Sequence, residues 1–283
     1  MGRTIALFGD SGSGKTTQIG DRAKAIFAAT GRKTHLYSAD PGGWDSIDPL
    51  VRLGIIVPHK MLPDDSPWIW ITAACEGAGL DVADVGLIAF DSAPSMGEAL
   101  LMSCAEMAKE GEDVGGRPAP KLVVGRKGTK PVRIGTNTDS HYLVAQTFML
   151  SAIRRSTWLA MDDGPDVLWT FLVNRGERAD EMPILGMKVV GKAASLTATL
   201  PKEFQYTFRI ASLPQGDLPP VHRLYLQETH EGQAISFGNA RYPLDARTPL
   251  PAYIEPASVS QAITLIERGQ EEAEAALREE LNL

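Results

Sequence analysis

The run Gly9-Asp10-Ser11-Gly12-Ser13-Gly14-Lys15-Thr16 constrains this chain more than any other feature. It fits the pattern G-x-x-x-x-G-K-[ST] at every fixed position. A short apolar run, Thr4 to Phe8, stands before it and reads as a buried strand, and Lys15 to about Thr30 reads as a helix after it. Strand, glycine-rich loop and helix in that order suit a phosphate-binding loop. Glycines let the backbone wrap a phosphate chain without Cβ clashes. The loop N–H groups and the helix N-terminus offer partial positive charge to the phosphates. In such a loop Lys15 bridges the β- and γ-phosphates and the Thr16 hydroxyl ligates Mg²⁺. The expected nucleotide-binding set is Gly9, Asp10, Ser11, Gly12, Ser13, Gly14, Lys15, Thr16 and Thr17, with ATP and Mg²⁺ as ligands.

The rest of the first half alternates strand and helix signals, which predicts a mostly parallel sheet with crossover helices. Strands are expected at Thr34 to Ser38, Val85 to Phe90 and Val167 to Val173, and helices at Pro67 to Gly77, Ser95 to Glu110 and His141 to Met161. Ser66 reads as the N-cap of the first of these helices, with Pro67 at its first position. From Met187 to Phe237 the pattern shifts to shorter β-like pieces, at Met187–Val190, Tyr206–Ile210, Val221–Gln227 and Ala234–Phe237. They suggest antiparallel strands extending the sheet. Residues 257–283 read as an acidic C-terminal helix with an apolar stripe of Val259, Ile263, Ile266, Ala273, Leu277 and Leu281. The division expected is an α/β domain over 1–255, followed by the acidic helix over 256–283.

Composition limits the alternatives. At 283 residues, 43% hydrophobic and 22% charged, the chain is neither disordered, collagen-like nor a disulfide scaffold. Its 28 basic and 35 acidic residues give a net charge of −7, which excludes a wholesale nucleic-acid coat. Cys75 and Cys104 fit a reducing compartment and have no metal-ligand spacing around them. No stretch approaches ~18 uncharged apolar residues. Met1-Gly2-Arg3 leads straight into a strand, and Ala6 breaks the myristoylation pattern, so a cytoplasmic protein without a signal peptide or membrane contact is expected.

A nucleotide site of this kind needs a carboxylate near the metal. Leu87-Ile-Ala-Phe-Asp91 supplies one, with four apolar residues, then Asp at the strand end, then Ser92. Hydrolysis also needs a group to orient water. Asp40 follows the second strand at the carboxyl edge, where α/β sheets bind ligands. Asp40-Pro41-Gly42-Gly43 is equally good turn chemistry, so Asp40 is a water-activating base or a turn residue.

Tyr37-Ser-Ala-Asp40, Phe90-Asp91-Ser92 and Phe171-Leu-Val-Asn174-Arg175 together resemble the RecA-type ATPase core. The closest likeness is to the short, single-domain RecA-like ATPases encoded by bacteriophages, which often work with single-strand annealing proteins. Val190-Gly191-Lys192, Leu200-Pro201-Lys202-Glu203-Phe204 and Gly238-Asn239-Ala240-Arg241 extend it through roughly residues 3–260. The resemblance implies Asp40 as base, Asp91 and Ser92 at the metal, and Asn174 as the γ-phosphate sensor. It also implies that Arg241 faces a neighbouring subunit's nucleotide, in a homo-oligomeric ring or short filament; pairing with Asp245 is the competing role for this arginine. DNA, in particular single-stranded DNA, is the partner implied, in recombination, annealing or replication.

Residues 114–138 hold six basic residues, five glycines and no acid, so the other 22 basic residues of the chain face all 35 acids. Arg126, Lys127, Lys130 and Arg133 in that Gly-rich segment are candidate DNA-backbone contacts. The segment carries no aromatic for base stacking, and a solvated loop is the competing reading. The five histidines show no ligand spacing and read as ordinary core or surface residues. Trp44, Trp68 and Trp70 lie after Asp40, and core packing is favoured over base stacking for them. The alternative functions are a small-molecule or nucleotide kinase, in which 114–138 would serve as a lid, and a nucleotide-binding protein with little turnover. A GTPase ranks last, because Asp91 is followed by Ser-Ala-Pro and Asn174 by Arg-Gly-Glu.

Overall fold

A computed structural model describes residues 2–40, 44–110, 139–177, 183–189, 200–216, 218–226, 229–230, 233–234 and 249–281. The chain opens with β1 (Thr4–Gly9), whose six residues are all buried. A glycine-rich loop leads into α1 (Lys15–Thr30), which stops at Gly31, left-handed at φ 69°, whose N–H donates to the Phe27 carbonyl. Next come β2 (Lys33–Ser38), α2 (Asp48–Arg52), β3 (Ile56–Lys60), α3 (Pro67–Cys75), β4 (Val85–Phe90) and α4 (Ala93–Glu110). Then follow α5 (Asp139–Trp158), β5 (Asp166–Glu177), β6 (Pro183–Lys188), β7 (Tyr206–Gln215) and β8 (Leu218–Tyr225). The short pair β9 (Thr229–His230) and β10 (Gln233–Ala234), then β11 (Tyr253–Ile254) and α6 (Val259–Leu281), complete the order.

The main sheet has nine strands in the order β11-β8-β7-β1-β5-β4-β2-β3, with β6 paired to β5. From β7 across to β3 all neighbours run parallel, while β6, β8 and β11 pair antiparallel. The protein is therefore α/β, with a mostly parallel sheet flanked by helices. Alternate residues of each strand face opposite layers. Phe8, Ile88, Phe90, Trp169 and Phe171 pack under Ile71 of α3, Met96 and Leu100 of α4, and Met149 and Ile153 of α5. Ile5, Leu7, Leu36, Leu87 and Leu168 pack under Ile19, Ala23 and Ile26 of α1 and Val259, Ile263 and Ile266 of α6. Each fully buried Leu, Ile, Val, Phe or Met among them contributes roughly 1.5–3 kcal/mol of transfer free energy. The C-terminal helix thus belongs to the core through its first half, whereas Leu277 and Leu281 farther along are 54% and 56% exposed.

A buried ion pair ties α1 to the start of β5. Arg22 of α1 donates through Nε and Nη2 to Asp166, at the head of β5, at 2.9 and 2.5 Å. Removing Asp166 alone would strand the buried Arg22 charge, at about 3–5 kcal/mol.

Several expectations need correction. The chain after Asp40 holds α2 and the edge strand β3, neither of which the sequence pattern predicts. Pro58 inside β3 conceals it, and the strand tolerates proline because it lies at the sheet edge. Trp68 and Trp70 sit on α3, within the helix expected at Pro67 to Gly77. Ser66 is extended and precedes Pro67, but its side chain makes no capping hydrogen bond. Of the piece expected at Met187–Val190, Met187 and Lys188 belong to a strand beginning at Pro183 and Val190 lies outside the described residues; of Ala234–Phe237 only Ala234 is described, in β10.

Two overhangs frame the carboxyl edge. β1 ends at Gly9, opposite Leu172 on one side and Ile210 on the other. β5 runs on beyond Leu172 to pair with β6, and β7 runs on beyond Ile210 to pair with β8.

Candidate functional site

The loop after β1 needs glycine at two described positions. Gly12 and Gly14 have φ of +74° and +92°, in the left-handed region that a side chain would strain. Gly14 is the N-cap of α1 and turns the first N–H groups of that helix toward the carboxyl edge. Lys15, 9% exposed, curls back over the loop. Its Nζ donates to the Gly9 carbonyl at 3.0 Å and the Asp10 carbonyl at 2.8 Å. Burial lowers the pKa of this ammonium, and the carboxylates of Asp91 and Asp10 oppose the shift.

Asp91 follows β4 and is 7% exposed. Its N–H donates to the Tyr37 carbonyl at 2.9 Å, tying the end of β4 to β2. Its two carboxylate oxygens are held separately. Thr16 Oγ1 donates to Oδ2 at 2.6 Å, and Thr170 Oγ1, from β5, donates to Oδ1 at 2.5 Å. Ser92 and Ser95 share a hydroxyl hydrogen bond of 3.0 Å at the start of α4. Asp40, past the end of β2, is exposed, and its N–H donates to Ser38 Oγ at 3.1 Å.

A cavity of about 420 Å³ opens over this edge, lined in part by Gly14, Lys15, Thr16, Asp40, Asp91 and His222. Most of the predicted residues therefore meet in one place. Ser11, Gly12 and Thr17 also line the cavity, whereas Gly9 and Asp10 contribute carbonyls to Lys15. Ser13 is 1% exposed, and its hydroxyl has no hydrogen-bond partner among the described residues. The backbone of Asn174 pairs with Gly186, and the role expected of its side chain falls outside the described side chains. Arg241, the turn at 41–43 and the candidate DNA contacts Arg126, Lys127, Lys130 and Arg133 also lie outside the described residues.

Two residues at this edge were invisible to sequence reasoning. Thr170 reads as filler inside an apolar strand, and only the register that sets it opposite Leu7, next to the end of β4, brings it to Asp91. His222 reads as one histidine among five, and only the β7–β8 overhang carries it to Gly14. None of Trp44, Trp68 and Trp70 lines this cavity among the described residues; all three pack against the core.

A second, wider cavity of about 1160 Å³ adjoins the first and shares Asp40 and Ser95 with it. Lys60, Glu98, Trp68 and Met102 are among its other lining residues.

No protein-family model matches the chain, and no curated protein matches it. Among the described residues no group of three or more His, Cys, Asp or Glu could hold a metal ion by itself. The pair Thr16 and Asp91 fits a different demand. Mg²⁺ takes hard oxygen ligands and keeps several waters, needing one or two protein groups beside substrate phosphates. A hydroxyl and a carboxylate held 2.6 Å apart meet that need. No described helix is long and apolar enough to cross a membrane.

Proposed function

We propose that the protein is a Mg²⁺-dependent P-loop ATPase of the RecA-like kind, phage-encoded and cytoplasmic, acting on DNA as a homo-oligomer. The observation that carries this reading is the convergence of Lys15, Thr16 and Asp91 on one cavity at the carboxyl edge, with Asp40 in the same lining. In the proposed reaction the Gly9–Thr16 backbone cradles the phosphate chain, and Lys15 exchanges its loop carbonyls for phosphate oxygens. Thr16 and Asp91 would hold Mg²⁺, which neutralises charge developing on the phosphates. Thr170 fixes the rotation of the Asp91 carboxylate. Asp40 accepts a proton from the attacking water. The order β1-β5-β4 supports the reading, because β5 lies between the loop strand and the strand of Asp91. A residue on the extension of β5, as Asn174 is, belongs to the same sheet edge, which is where the sensor role implied by the resemblance asks for it.

The wider cavity favours a second reading, phosphoryl transfer to an acceptor bound beside Asp40. Phosphate release from ATP, with and without single- and double-stranded DNA, separates the two. An ATPase acting on DNA releases phosphate and speeds up with DNA. A kinase releases little phosphate whether or not DNA is present.

A further inference from the structure

We propose that His222 is a nucleotide contact, a polar side chain delivered to the phosphate-binding loop by the β7–β8 hairpin, so that nucleotide binding fastens this hairpin to the loop. The inference rests on the P-loop reading above. His222 stands on β8 opposite Ser212 of β7, on the part of the hairpin that overhangs the end of β1. It is held from the other side as well, because its carbonyl accepts the Ala257 N–H at 2.8 Å, just before α6. The imidazole lies against the loop glycine itself. A Cβ placed on Gly14 would meet ring atoms of His222 at 3.4–3.5 Å, ordinary van der Waals contact. The ring lines the 420 Å³ cavity together with Lys15 and Thr16.

The chemistry at that position points to a ligand. His222 Nδ1 is fully buried and has no hydrogen-bond partner among the described residues. A buried polar nitrogen without a partner is costly, and such atoms in folded proteins answer to a bound group or an ordered water. The ring shares the cavity lining with Lys15, whose ammonium attracts phosphate oxygens, and with Gly14 at the N-terminus of α1. As an N–H donor, the imidazole adds one directed hydrogen bond to the phosphate chain of a nucleoside triphosphate. Because the donor comes from a hairpin that is separate from the loop, ligand and hairpin become coupled.

The test measures ATP affinity by calorimetry in the presence of Mg²⁺ and hydrogen exchange across β8. His222→Phe keeps a flat ring and removes the polar nitrogen; His222→Gln restores a side-chain N–H. Expected are a Kd raised about tenfold in His222→Phe, recovery toward wild type in His222→Gln, and slower exchange of β8 amides when ATP binds the wild type. An unchanged Kd in His222→Phe, or β8 exchange indifferent to bound ATP, overturns the proposal. Lys15→Ala separates this from failure of the nucleotide reading. If Lys15→Ala loses ATP while His222→Phe binds normally, only the histidine contact falls. If the wild type binds no ATP, the nucleotide reading falls and takes the contact with it.

Discussion

Asp91 and Asp40 follow adjacent strands of one sheet and line one cavity, yet they are built differently. Asp91 is sunk at the end of β4, with each carboxylate oxygen taken by a threonine hydroxyl from a different element. Asp40 is exposed just past the end of β2 and borders both cavities. A carboxylate fixed in rotation and shielded from bulk water suits a constant charge near a metal. A carboxylate open to solvent suits a group that exchanges protons with water. Under the proposed function the contrast would give the two acids different work, and each prediction below presses on it.

The largest effect is expected at the buried acid. Asp91→Asn should reduce Mg²⁺-dependent phosphate release to background. Asp40→Asn should lower kcat by roughly 10²–10⁴, the usual worth of a positioned base, with little change in ATP affinity. A wild-type rate in Asp40→Asn would make that residue part of a turn only. Equal losses of ATP binding in both variants would erase the distinction between them.

Thr170→Val, nearly isosteric, probes what fixes Asp91. A hydrogen bond to a charged group contributes about 1.5–3 kcal/mol, so the Mg²⁺ concentration giving half-maximal phosphate release should rise at least tenfold. No change in that concentration would mean that Thr16 alone orients Asp91.

The smallest effect concerns the strand that carries Asp40. His35 of β2 and His59 of β3 share a 2.8 Å hydrogen bond and stack, with His59 also stacked on Tyr37. Burial lowers the pKa of both from 6.5, and for His35 the positive charge of neighbouring His59 and Lys33 lowers it further. The unfolded chain then binds more protons below about pH 6.5 than the folded one, so stability falls as pH drops through that range. The melting temperature should decline from pH 7.5 to 5.5, and less so in His59→Gln. Hydrogen exchange should locate the loosening in β2 and β3 before β4. Equal acid sensitivity of wild type and His59→Gln would show that this edge is not the titrating element.

The local parts of this arrangement were legible in the sequence. Gly9 to Thr16, the apolar run before it and the helix after it are contiguous, and their chemistry depends on neighbours in the chain. Asp91 was legible because an acid at the end of four apolar residues marks a strand end. Thr170 and His222 were not, because each reaches the cavity through pairing register, which no local pattern encodes. The exposure of Leu277 and Leu281 was likewise hidden, since an amphipathic stripe does not say where its support ends.

The central claim is that the Gly9–Thr16 loop, with Asp91, binds and turns over MgATP. Phosphate release from ATP by wild type and Lys15→Ala, side by side with and without Mg²⁺ and with folding verified for both, tests it most directly. The account expects Mg²⁺-dependent release by the wild type and none above background from Lys15→Ala. Equal release by the two folded proteins, or none from the wild type, would contradict it.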